Sequence, residues 1–286
     1  MSIFFNLNAS QSHNKPKQFM PAFPASAAGI GLVNSPLFRG VIFTRGFMLF
    51  PKILFKYRKF DKGCLELLLN RELWFATPAS LNDPFEGEAS FNEVLNAVWE
   101  HYPFPSSQRE KYKRKIEEQL AKTGICSFSK ARKNQLMWSH YADEHRGVCI
   151  GFKEHILRPE GSSIAPIDVT YQDEYPFEEI IERFKYFEQL PGENNVDSVA
   201  GDILYSILGT KYSSWRYERE RRLVFYRSEA KQFDPEAVNS IAFGLRMEAR
   251  DKSTLREMIS GTEWSHVKWY QAVKSKTKYA LDFERI

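Results

Sequence analysis

From Ile53 to the C-terminus, short β-type apolar runs and helix-period segments follow one another without regular alternation, and this irregularity most constrains the fold. A doubly wound parallel sheet needs a crossover helix after each strand. The pattern therefore predicts a single α+β domain with a mixed or mainly antiparallel sheet core and packed helices. Strands are expected at 53–57, 72–76, 125–129, 148–152, 167–171, 223–226, 240–243, 267–272 and 279–283. Helices are expected at 61–70, with Leu65, Leu68 and Leu69 inward, and at 93–102, 107–122, 177–190, 196–209 and 251–260.

Residues 1–47 differ from the rest. They hold four prolines, no acids and no lasting period, and read as an extension that is disordered or dispensable. A leader peptide is the competing reading of its apolar stretch Ala22–Val33, which Pro24 interrupts. The folded domain is expected over 48–286. Charge sharpens the division: residues 1–60 carry eight Lys or Arg and no acid, leaving 32 basic against 36 acidic residues in the remainder. The pI near 8.8 thus reflects the N-terminal segment, and the rest gives no general phosphate-binding surface and no strong nucleic-acid signal. No run of eighteen apolar residues suits a membrane span, so a cytoplasmic protein is expected. Cys64, Cys126 and Cys149 are odd in number and lack CxxC spacing, as free buried thiols in a reducing compartment would be.

Three segments concentrate the polar chemistry. The first, LNDPFEG (Leu81–Gly87), presents Asn82, Asp83 and Glu86 on a loop stiffened by Pro84 just after a strand. The second, NQLMWSHYADEHRGVC (Asn134–Cys149), spends a helix of little more than two turns on polar groups where a core helix would carry Leu, Ala and Val. If helical throughout, it pairs His140 with Glu144 and Tyr141 with His145 on shared faces. The spacing H-x-x-x-E-H matches neither H-E-x-x-H nor H-x-x-E-H, so no resident metal is expected. The third, KYSSWRYERERRLVF (Lys211–Phe225), reads as a strand with Glu218, Glu220 and Arg222 on one side and Arg219, Arg221, Leu223 and Phe225 on the other. All three should converge on one cleft.

FKYR, LWFATPASLNDPFEG, ICSFSK, NQLMWSHYADEHRGVCIGF and KYSSWRYERERRL, in that order, resemble a bacterial family known as domain of unknown function 2971. That likeness implies a single α+β domain, often a stand-alone cytoplasmic protein, and no particular activity. A second resemblance is to ADP-ribosyltransferases of the Arg–Ser–Glu kind, which combine a basic residue on a first strand, a Ser/Thr segment on a second and a late E-x-E. Here these are Arg58, then Thr77 with Ser80, then Glu218 and Glu220. LNDPFEG and WSHYA are not part of that pattern.

The second resemblance implies NAD as the substrate. Glu220 would hold the ribose 2′-hydroxyl, Glu218 would orient or deprotonate an acceptor whose identity stays open, and Arg58 would contact the phosphates. Tyr57, Trp138 or Tyr141 would stack on nicotinamide. Outside that pattern, the polar segments themselves offer Asn82 and Asp83 as ligand-binding residues and His140 as a catalytic residue for substrate binding or proton transfer. Two alternatives remain open. One is a metal-dependent hydrolase or nuclease using Asp83, Glu86, His140 and the late carboxylates. The other is a non-enzymatic ligand-sensing or partner-binding domain.

Overall fold

An eight-stranded mixed sheet organises the chain, in the order Leu281–Arg285, Lys268–Lys274, Val238–Phe243, Val148–Lys153, Ile53–Arg58, Gly124–Ser129, Glu220–Phe225, Ala165–Asp168. Every neighbouring pair is antiparallel except Val238–Phe243 with Lys268–Lys274. The computed structural model describes residues 30–32, 42–44, 53–86, 88–189 and 196–286. Of the extension expected over 1–47, only the antiparallel pair Ile30–Leu32 and Ile42–Thr44 is among them. The rest of the extension, and the expected domain start at Met48, lie outside the described residues. With helices packed on the mixed sheet, the fold is the expected α+β arrangement.

Two apolar layers cover the sheet. One gathers Leu54, Leu68, Phe128, Ile150, Phe152 and Phe243 beneath the helix Lys62–Leu69. The other packs helices Glu88–His101, Ser106–Lys122, Phe177–Gln189 and Val196–Leu208 on Ile125, Ile167 and Val224. Asp61 opens the first helix by accepting the Cys64 amide at 3.0 Å. Its inward face is Cys64, Leu67 and Leu68, whereas Leu69 is 47% exposed, so the expected face is rotated toward Leu67. Cys64, Cys126 and Cys149 are free and buried. Burial raises the proton affinity of all three thiols, Cys64 to about 12, which disfavours the nucleophilic thiolate.

The polar helix is shorter than its sequence suggests. It spans Gln135–Tyr141, and Asp143, Glu144 and His145 then take left-handed backbone angles, φ 47°, 48° and 73°. Such angles cost roughly 1–2 kcal/mol each for residues with a Cβ. Here the turn satisfies its amides: Glu144 N–H donates to Ser139 O, His145 to Trp138 O and Gly147 to Ala142 O. It reverses the chain into Val148–Lys153, where Gly147 passes so close to the Arg58 carbonyl that a Cβ would lie 2.1 Å from it. The pairings expected of one continuous helix, His140 with Glu144 and Tyr141 with His145, are therefore not formed.

Candidate functional site

The Ile53–Arg58 and Gly124–Ser129 strands touch in register only at Phe55 and Ser129 and then part. A cavity of about 710 Å³ occupies the split, a size ordinary for small-molecule sites. Phe55, Ser129 and Glu220 stand opposite one another across three strands and so share a face, while Lys56 and Arg58 point to the other. Because the strands separate, side chains from both faces line the same space. Lys56 spans the gap, its Nζ donating to Ser127 O at 3.0 Å.

At the inner wall five charged side chains meet, each at most 6% exposed. Lys211 Nζ lies 2.8 Å from Glu86 Oε1, 2.7 Å from Glu218 Oε2 and 3.7 Å from Glu220 Oε2. Arg222 forks onto Glu220, with Nε to Oε1 and Nη2 to Oε2 both 2.9 Å, and its Nη2 also contacts Glu86 Oε2. Three carboxylates face two cations, so the cluster carries one negative charge in excess when all are ionised.

The network couples the three polar segments. Asn82 Nδ2 donates to the Tyr141 hydroxyl at 2.8 Å, and that hydroxyl donates to Glu218 Oε1 at 2.5 Å. Asn134 caps the polar helix, its Oδ1 accepting from the Leu136 amide at 2.9 Å. Its Nδ2 donates to Tyr217 O at 2.6 Å, fastening that helix to the segment carrying Glu218. Glu218 ends a 3-10 turn, Ser213–Glu218, and Arg219 is left-handed at φ 48° before the strand begins at Glu220. Glu218 therefore lies outside the strand it was expected to share with Glu220. Ser129 Oγ donates to the Glu218 carbonyl at 2.6 Å and helps fix that turn.

The two E-x-E carboxyls differ in chemistry. Burial opposes ionisation of Glu220, but Arg222 and Lys211 outweigh it and hold the carboxyl at about 2. For Glu218, burial prevails over Lys211 and the Tyr141 hydrogen bond, so its proton affinity is raised. Burial, together with the Glu218 carboxylate, also raises the Tyr141 phenol. Glu220 is thus a fixed anion, and Glu218 is the better proton acceptor.

Tyr57, Arg58, Ser80, Asn82, Tyr141, Glu218 and Glu220 line the cavity. Thr77, Asp83, Trp138 and His140 do not. The Thr77 carbonyl accepts from Ser80 Oγ at 2.7 Å, and buried Asp83 caps its own turn through the Phe85 amide at 2.9 Å. Trp138 is fully buried, its indole N–H donating to Arg132 O at 2.9 Å. The His140 ring sits 6.1 Å from that of Tyr217. Lining residues absent from the expected set include Lys56, Glu66, Asn70, Glu72, Trp74, Ser127, Ser129, Lys211 and Arg222. Ser127 and Ser129 had a legible signal, being polar residues at period two in the strand GICSFS. Lys211 had none.

Arg58 and Lys56 have no ion-pair partner among the described residues, and Arg58 Nε is buried without a hydrogen-bond acceptor. Among the described residues no group of three His, Cys, Asp or Glu is arranged to hold a metal ion. No described helix is long and apolar enough to cross a membrane.

No curated protein and no solved structure matches the chain. Over residues 137–223, which carry most of the polar helix, Lys211 and the E-x-E segment, the chain is similar to a family described as "Protein of unknown function (DUF2971)".

Proposed function

We propose that the cavity binds a nucleotide of the NAD type and that the protein is an ADP-ribosyltransferase-like enzyme. The observation that carries this reading is that three neighbouring strands line one cavity with the expected residue types in order. Arg58 comes from the first, Ser127 and Ser129 from the second, and Glu218-x-Glu220 from the third and the turn before it. Ser127 and Ser129 replace Thr77 in the role of the Ser/Thr segment, with Ser80 nearby. The electrostatics agree in kind. Unpaired Arg58 and Lys56 suit phosphate oxygens, and a wall with one excess negative charge suits a cationic pyridinium ring.

In this reading the bond from ribose C1′ to the nicotinamide nitrogen breaks, and its electron pair leaves with the ring as neutral nicotinamide. Positive charge develops on the ribose, where the excess negative charge of the wall stabilises it, as carboxylates do in glycoside cleavage. An acceptor, or water, then bonds to C1′ and gives its proton to Glu218. Glu220, forked on Arg222, keeps the wall negative and sets the place of Glu218; a hydrogen bond to the ribose 2′-hydroxyl is open to its remaining lone pairs. The metal-dependent alternative draws less support, because Lys211 and Arg222 already fill the space between the carboxylates.

Nicotinamide release from NAD by the full chain, measured beside a melting curve, tests this. Glu218→Gln should lower turnover by about 100-fold or more while leaving the melting temperature in place. A wild-type protein that releases no nicotinamide rejects the enzyme reading. If NAD then still raises the melting temperature, the ligand-sensing alternative takes its place.

A further inference from the structure

Stacking on a planar ring was expected of Tyr57, Trp138 or Tyr141. Trp138 is sealed in the interior, and Tyr57 is 6% exposed with its hydroxyl bound to Ala131 O at 2.7 Å. The Tyr141 hydroxyl is committed to Glu218 and Asn82. A different aromatic residue stands open at the cavity. Trp74 lines it and is 61% exposed, whereas Phe55, Tyr57, Phe128 and Tyr141, the other aromatic residues of the lining, are buried or half-buried.

The Trp74 backbone is firmly held. It ends the short strand Glu72–Trp74, opposite Ala230 of the strand Ala230–Gln232, and sits between Leu73 and Phe75, which are 3% and 1% exposed. Ala230 also lines the cavity, and its small methyl group leaves room beside the indole. A single exposed Trp needs no explanation on an ordinary surface. Trp74 shares the cavity with Arg58 and Lys56, neither of which has an ion-pair partner among the described residues; of the carboxylates lining the same space, Glu66 is paired with Lys62, and Glu72 stands on the Trp74 strand. The indole thus supplies the second half of a recognition pair, an aromatic face in the same cavity as two cations.

We propose that Trp74 is the stacking platform for the nucleobase of a nucleotide whose phosphate meets Arg58 and Lys56. This rests on the nucleotide reading of the cavity and adds the base end of the ligand. Every nucleobase has a π face, so stacking supplies affinity for the base with little selection among bases.

Titration calorimetry on the full chain with adenosine monophosphate and with ribose 5-phosphate tests it, using wild type, Trp74→Ala and Trp74→Phe. Trp74→Ala should bind adenosine monophosphate about tenfold or more weakly, and Trp74→Phe should regain part of that loss. Ribose 5-phosphate should bind all three alike, and the melting temperatures should agree because the indole is largely in solvent. Equal affinity of wild type and Trp74→Ala for adenosine monophosphate overturns the proposal. So does a parallel loss of both ligands, or a wild type that binds no adenosine monophosphate. Failure of nicotinamide release is a separate result: it removes the transferase reading and leaves the stacking assignment to stand on the calorimetry.

Discussion

The strand Glu220–Phe225 carries a buried ion network on each face, and the two are built differently. On the cavity face, Glu220 and Arg222 join Glu86, Glu218 and Lys211, all at most 6% exposed. On the other face, Arg221 holds Glu154 Oε1 at 2.6 Å and Asp168 Oδ2 at 2.7 Å, and Asp168 reaches Lys130 at 2.9 Å. That second network runs out to water, since Asp168 and Lys130 are 40% and 29% exposed. Its charge is therefore partly screened by solvent. The cavity network has no such outlet, and its excess carboxylate must be met by a proton or by whatever occupies the cavity. Adjacent residues of one strand thus divide an ion network that reaches solvent from one that lines the cavity.

The largest effect should come from removing the guanidinium of the inner network. Arg222→Met leaves Glu220 and Glu86 without their guanidinium and should cost about 3–5 kcal/mol of unfolding free energy. Arg221→Met should cost less, about 1–3 kcal/mol, because Asp168 can regain water and Arg158 stays 3.9 Å from Glu154. Urea unfolding of both variants at neutral pH measures the difference. Equal losses would erase the distinction between the two faces.

The next effect is pH-dependent and sharpens the contrast within the inner network. Glu220 is depressed to about 2 from an ordinary 4.5, so its contribution is complete above pH about 4.5 and is lost as pH falls toward 2. The span corresponds to about 3 kcal/mol. Glu220→Gln should therefore flatten the acid limb of stability between those values. Glu218 runs the other way: its carboxyl is raised, so it favours folding as pH falls through the folded value and opposes folding above it. Glu218→Gln should leave stability at pH 7 unchanged or raise it by about 1 kcal/mol, since Lys211 keeps Glu86 at 2.8 Å. Stability curves from pH 2 to 8 for both variants decide the matter, and the same slope in each would mean that the two carboxyls are equivalent.

Much of this was legible in the chain. Period and turn signals locate the main helices and most of the sheet, and polar density marks the three segments that the Asn82–Tyr141–Glu218 hydrogen bonds tie together. Two things were hidden for physical reasons. Left-handed angles at Asp143, Glu144 and His145 go with amide hydrogen bonds back to Ser139, Trp138 and Ala142, which no helix period marks, and with the Gly147 contact with a distant strand, which is not local. Burial of Glu220 and Arg222 depends on Lys211 and Glu86, whose approach is purely tertiary; a segment reading ERERR looks solvated until its partners are known. The parting of the Ile53–Arg58 and Gly124–Ser129 strands, which makes the cavity, leaves no mark in either strand's sequence.

The smallest expected effect tests the solvent outlet itself. Lys130 pairs with Asp168 at the edge of the outer network, and both groups keep contact with water. Lys130, with the guanidinium of Arg221, outweighs burial and lowers the Asp168 carboxyl below its ordinary value. For a pair this exposed, gain and side-chain ordering nearly cancel, and about 0–1 kcal/mol is expected. Lys130→Ala should therefore shift the urea midpoint little, and added salt should shrink even that difference, because screening acts on exposed pairs. Lys211 is also an ammonium paired with carboxylates, yet it is 2% exposed, and Lys211→Ala should be damaging and insensitive to salt. Measuring both variants at low and high salt isolates solvent access as the variable. A large, salt-independent loss in Lys130→Ala would show that the outer network is as sealed as the inner one, and the unmet charge beside the cavity would no longer set that face apart.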